Sequence, residues 1–271
     1  MKKFLKLCSV CAMMLVCATV LVACGGHEHE WGEWVVTTPA TYTEEGIETR
    51  VCANDATHTQ TRRIEVLEKT TPSVVSSFGV REGLAGDSGK FTLFWSAPAD
   101  NGGLPITGYQ ITEDNWATQT NKGSETLTYV STSSVAMVDG KYTAATEGNT
   151  YTFKIKAVNS KGAGQESVIV VTIAKTFTST VYLLTKDEGG RSAPVQANYK
   201  PTVLLDSMAD VISSNFDAVD PEILLLGGTA TVTITLGDLA IVYEGMPFVV
   251  KEGAKTVGTG TVLTAVPPTV A

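Results

Sequence analysis

Apolar and polar residues alternate along much of the chain. Phe91, Leu93 and Trp95 flank Thr92 and Phe94, and Tyr109 and Ile111 follow after a polar stretch. Tyr151, Phe153, Ile155 and Ala157 alternate with Thr152, Lys154 and Lys156, and residues 230–236 alternate strictly between apolar residues and threonine. A period of two sends successive side chains to opposite faces, so each run predicts a strand with one face in a core. Turn clusters at 100–103, 139–140 and 162–164 punctuate the middle of the chain and predict an antiparallel sandwich over 71–175. Beyond it, the apolar run 181–184, the alternating run 230–236 and two strands around Glu252-Gly253 predict a further antiparallel unit over 176–271. Strand-like runs at 33–38, 47–52 and 59–66, with turns at 44–46 and 54–56, predict a small unit over 24–70, about 47 residues and too short to bury much core alone. The expected fold is all-β, three units in tandem. Almost no linker separates Ile173 from Phe177, so the two larger units are expected to be stiffly joined.

The N-terminus breaks the pattern. A basic start, MKKFLK, precedes an uncharged and mostly apolar run over 7–23. That arrangement reads as a secretory signal peptide over 1–23. The run has 17 residues, at the short limit for a membrane span, so a retained helix is the rival reading. Its end, Leu21-Val22-Ala23-Cys24, resembles the lipobox of bacterial lipoproteins. The resemblance implies cleavage before Cys24, diacylglycerol on its sulfur, and a protein anchored by lipid on the extracytoplasmic face of the cell membrane. Acyl chains hold because each buried CH₂ contributes roughly 0.8 kcal/mol.

Composition adds two constraints. Hydrophobic residues make up 43% and charged residues 18%, as in ordinary globular chains, and abundant valine and threonine favour strands. The net charge is -8, and loss of Lys2, Lys3 and Lys6 with the signal makes it about -11, a balance that repels nucleic acid. Of the five cysteines only Cys52 lies beyond the signal and the anchor, so no intramolecular disulfide is available to the mature chain. Packing or a metal must supply the stability.

Three stretches resemble known families. HEWGEWVVTTPATYTEEGIETRVC resembles a short repeat of exported bacterial proteins that carries paired tryptophans and a Cys-x-x-Cys; here Tyr42 and Asp55 replace two of its cysteines. FTLFWSAPADNGGLPITGYQIT and TYTFKIKAVNSKGAG resemble strands B to C and strand F of a fibronectin type III domain, which implies that Trp95 is the buried core tryptophan. VYLLTKDEGGRSAPVQANYKP, LGGTATVTITL and EGMPFVVKEGAKTVGTGTV occur in order and resemble the C-terminal barrel of translation elongation factor Tu. That implies a closed six-stranded antiparallel barrel. In the factor the barrel helps hold tRNA and partner proteins while a separate domain binds GTP. No G-x-x-x-x-G-K-[ST] occurs here, and EGAKT (252–256) reads as a hairpin turn, so GTP is not an expected ligand. Arg191 and Lys200 match basic positions of the family, but Ser192-Ala193-Pro194 replaces its His-Thr-Pro and Asp206 stands where it usually has arginine. Nucleic acid is therefore not an expected partner. Gly189, Gly190, Pro201, Gly227, Gly245, Gly253 and Gly258 keep the family's turn and close-packing positions.

Candidate chemistry is sparse. His27, His29, Cys52 and His58 form a donor set that zinc accepts, but the Cys-x-x-Cys half of the repeat is broken, and the HEHE stretch reads better as a polar tether. No His or Cys occurs after residue 58, which denies the larger units the usual base and thiolate. Carboxylate pairs at 44–45, 187–188 and 220/222 sit at expected turns. PADNGG (98–103) reads as a domain loop and not a Ca²⁺ site. Trp116, in an expected loop, and Trp34 are the candidate binding aromatics. Trp31 and Trp34, three apart, are expected on opposite faces of a strand. The expected function is non-catalytic: a cell-envelope lipoprotein that presents β-domains to a protein or glycan, with host-matrix adhesion permitted by the factor resemblance. Accessory or weak hydrolysis of cell-wall glycan is the alternative, and a factor-like role in tRNA binding stands behind both.

Overall fold

The computed structural model describes residues 28–83 and 87–266, so the signal segment, Cys24 and His27 lie outside the described residues. The chain divides into two compact units, Met1–Leu67 and Glu68–Ala271.

The first unit is a three-stranded antiparallel sheet of β1 (Val35–Thr38), β2 (Gly46–Val51) and β3 (Thr59–Ile64), with β2 in the centre. Few of its side chains are buried, with Cys52 as its buried apolar residue. Arg50 and the Arg62–Glu48 pair line one face of the sheet.

The second unit holds both larger expected domains. Its first sheet joins β4 (Ser76–Glu82), β5 (Lys90–Ser96) and β8 (Thr128–Ser134). The facing layer contains β6 (Gly108–Thr112), β7 (Thr120–Gly123), β11 (Thr150–Asn159) and the first half of β12 (Gly162–Leu183). The alternating residues meet between these layers: Phe91, Leu93, Trp95, Phe153, Ile155 and Ala157 are all buried. Trp95 packs edge-on to Tyr109 at 5.3 Å between ring centres, as the core tryptophan. Two-residue strands β9 (Met137–Val138) and β10 (Lys141–Tyr142) lead to a single turn of 3₁₀ helix at Ala144–Thr146. Among the described residues there is no α-helix.

Strand β12 does not stop at the edge of the sandwich. It runs for 22 residues and becomes a stave of the next domain. There β14 (Thr202–Leu205), β15 (Ile212–Asp220), β17 (Thr229–Tyr243), β18 (Pro247–Glu252) and β19 (Lys255–Val266) follow in the order β17-β15-β14-β18-β19-β12, and a further β17–β12 pairing closes the ring. A closed six-stranded barrel leaves no unpaired edge. The short pair β13 (Val195–Gln196) and β16 (Ile223–Leu224) lies beside it. Ala230, Val232, Ile234 and Leu236 point inward from β17, as their alternation requires. Phe177 of β12 and Phe248 of β18 meet edge-to-face at 5.6 Å in the barrel core.

The joint is more than a shared strand. β17 pairs with the barrel half of β12 from Tyr182↔Thr229 to Thr176↔Thr235, then shifts register and pairs with the sandwich half from Ala174↔Ala240 to Val171↔Tyr243. The barrel thus adds its own strand to the sandwich sheet. Beside it, the Glu82 amide donates to the Ser207 carbonyl at 2.9 Å, and the buried Ser207 hydroxyl donates to the Ile241 carbonyl at 2.8 Å. One contiguous apolar cluster extends from Val75 to Val262. Backbone pairing and this common core hold the joint; the exposed Lys141–Asp238 pair at 3.0 Å adds little.

Candidate functional site

A groove of about 630 Å³ lies on the outer face of the barrel. Inward positions of the staves form the barrel core, so the alternate positions face out: Thr180 and Tyr182 from β12, Leu204 from β14, Val249 from β18, Thr259 and Thr261 from β19. Register brings them together, since Thr180 pairs with Thr261 and Tyr182 with Thr259. Met208, Pro247, Thr229 and Phe248 complete the lining. The Phe248 ring occupies the space a side chain at Gly260 would need: a Cβ there would lie 2.2 Å from its ring carbon.

The turn at 185–190 fixes Tyr182. Its hydroxyl donates to both oxygens of Glu188, at 3.0 Å each, and Glu188 also accepts from the Thr185 amide and hydroxyl at 2.8 Å. The Thr185 amide and hydroxyl, then the tyrosine, hold the Glu188 carboxyl below its ordinary range, and that carboxylate raises the Tyr182 phenol. The turn needs both of its glycines: Gly189 takes φ +85°, and a Cβ on Gly190 would fall 2.1 Å from the Leu184 carbonyl oxygen.

One carboxylate reaches the groove, and it is already engaged. Asp206 accepts from Arg81 of the sandwich at 3.1 and 3.3 Å, and Arg81 in turn lies over the Phe94 ring at 4.3 Å. The acidic residue at the position where the resembling family usually has arginine therefore binds the neighbouring domain.

Arg191 and Lys200 are not gathered into one site. Arg191 lies against Tyr199, 4.7 Å from the ring centre, and pairs with Glu252 at 3.3 Å, while the Tyr199 hydroxyl donates to the same carboxylate at 2.8 Å. Burial and then Glu252 push the Tyr199 phenol upward. Arg191 and Tyr199 line a hollow of about 270 Å³; Lys200 is exposed and is not part of its lining.

Both candidate tryptophans carry cationic neighbours on their rings. Trp116 does lie in a loop, but its ring is half-buried: the indole N–H donates to Glu166, and Lys156 Nζ sits 4.3 Å from the ring centre. Trp34 carries Arg50 and Arg62 at 4.6 and 4.5 Å. Arg50 also lies 5.2 Å from Trp31, so the tryptophans share a neighbour; they precede β1, and strand alternation does not apply to them.

His29 stacks on Trp31 at 5.0 Å and meets His58 edge-on at 4.9 Å, while Cys52 is buried. Among the described residues no three His, Cys, Asp or Glu side chains are grouped to hold a metal. Of the carboxylate pairs, Glu45 binds Arg63 at 2.8 Å and Glu188 serves the turn described above. EGAKT is the β18–β19 hairpin, with Gly253 at φ +60°.

A different carboxylate stands out in the sandwich. Glu113 accepts from the Tyr129 hydroxyl at 2.7 Å and from the Thr132 and Ser133 amides at 2.8 Å. Burial opposes its charge, but these bonds outweigh burial and hold the carboxyl below its ordinary value of 4.5. A lowered carboxyl pKa contributes stability that is complete above the unfolded value and is lost as pH falls through the folded one. Thermal melting scanned downward from pH 6 is expected to lose stability below about pH 4.5, and Glu113→Gln to flatten that slope; an unchanged slope in the variant would assign the effect elsewhere.

Residues 83–173 match the fibronectin type III domain family. Residues 170–266 match the family of the elongation factor Tu C-terminal domain. Elongation factor Tu 2 of Streptomyces avermitilis is 36% identical over 91 residues, which is 34% of this chain and 23% of that protein. The chain thus spans about a quarter of the length of that relative. The two family matches overlap at 170–173, inside the strand that the fibronectin type III domain and the factor-like barrel share.

Proposed function

We propose that this chain is a non-catalytic lipoprotein of the cell envelope, anchored through diacylglycerol on Cys24 at the extracytoplasmic face, whose fused fibronectin type III and factor-like domains bind a protein or glycan. The observation that carries the reading is the outer groove of the barrel. Its lining combines an aromatic ring, aliphatic side chains and threonine hydroxyls, and its one carboxylate is paired with Arg81. Such a lining suits contact and hydrogen bonding; it offers no acid–base pair for hydrolysis. Neither GTP nor nucleic acid is a ligand in this reading: the chain carries a net charge of -8, and Asp206 replaces a cation of the resembling family.

Two measurements test it on the full chain. The wild type is expected in the membrane fraction with an acylated N-terminal cysteine by mass spectrometry, and Cys24→Ala to leave it. Immobilised protein is expected to retain purified matrix proteins (collagen, fibronectin) or cell-wall fragments saturably, without release of reducing ends. Progressive release of sugar would replace this reading with the hydrolase, and retention of neither class would overturn it.

A further inference from the structure

We infer that the outer groove of the barrel takes a neutral oligosaccharide. This rests on the binding reading above and names the ligand class of that same groove. Charge decides first. In a chain of net charge -8, the groove has a single carboxylate, Asp206, and the Arg81 guanidinium already holds both of its oxygens. A cation finds no unpaired carboxylate there and an anion finds no unpaired base, so electrostatics favour an uncharged ligand.

The surface chemistry decides next. Tyr182 lines the groove and is held by its hydroxyl on Glu188, so its ring is oriented before any ligand arrives, at low entropic cost. Around it, cross-strand register sets the hydroxyls of Thr180, Thr259 and Thr261. Each hydroxyl both donates and accepts, which matches a ligand that carries many hydroxyls of its own. An aromatic face beside uncharged hydroxyls suits a sugar ring, whose C–H faces stack while its edges hydrogen-bond. Leu204 and Val249 supply the apolar wall, and the volume of about 630 Å³ lies in the range of small-ligand sites. An extended peptide fits less well. It binds sheets by pairing its backbone with an open edge, and the closed ring has none.

The test is calorimetric titration of the full chain in detergent with cellohexaose, chitohexaose and maltohexaose. At least one is expected to bind saturably. Tyr182→Ala is expected to weaken it at least tenfold and Thr259→Val with Thr261→Val several-fold, while Thr233→Val, on the barrel exterior outside the groove, leaves it unchanged. Should Tyr182→Ala fail to fold, the isosteric threonine pair carries the test alone. Failure of all three sugars, affinity untouched by the groove variants, or self-association through the groove would overturn the inference. If the sugars fail while a purified matrix protein is still retained, the glycan assignment falls and the binding reading survives; if both fail, so does the broader reading.

Discussion

Trp95→Ala is expected to lower stability by about 3–5 kcal/mol, and to do so in the barrel as well as in the fibronectin type III domain. The size follows from burial: Trp95 is 3% exposed and its ring packs on Tyr109. The reach follows from β12. Thermodynamic units separate where few contacts cross a boundary. Here β12 crosses it, β17 pairs with both halves of β12, and one apolar cluster spans the joint. Denaturant unfolding read by hydrogen exchange of separate peptides checks this. Peptides from β5 and from the first half of β17 are expected to lose protection at the same, lowered midpoint. Barrel peptides that keep the wild-type midpoint while the sandwich opens would make the domains independent.

Phe177→Ala tests the same coupling from the other side, with an expected loss of about 3–5 kcal/mol. Phe177 is fully buried on the barrel half of β12 and meets Phe248 edge-to-face, a contact that adds to its burial. The cavity would not close readily. Phe248 is held in the space above Gly260, so moving it toward the vacancy would open a second gap. Through β12 the loss is expected to appear in sandwich peptides such as those of β11. A change confined to the barrel would contradict a single cooperative body.

Much of the fold was legible because period-two alternation is a local property. Phe91/Leu93/Trp95, Phe153/Ile155/Ala157 and Ala230/Val232/Ile234/Leu236 each read as one inward face, and each is buried. Turn glycines were equally legible: Gly189 and Gly253 take positive φ, as the turns around them suggested. The groove was not legible. Its lining comes from staves that lie between Thr180 and Thr261 in sequence, and only the barrel register sets them side by side. A hint existed in the outward threonines of the runs 176–180, 229–235 and 259–261, which alternation assigns to the surface without saying what they border. The surroundings of the tryptophans were not legible for a related reason. Sequence gives no account of which cation settles on a ring, and Arg50, Arg62 and Lys156 arrive from other strands.

The amino-acid sequence by itself determined that the chain is all-β, which residues turn inward, and that the stretches resembling a fibronectin type III domain and the elongation factor Tu barrel adjoin with almost no linker between them. Alternation, turn residues and motif order are properties of neighbouring positions, and they survive without knowledge of the fold. Only the tertiary structure decided that the two domains share β12, that β17 extends the sandwich sheet, that Asp206 is committed to Arg81, and that Tyr182 stands among threonines in a groove. Those facts depend on strand register and ring closure, which bring together residues far apart in sequence.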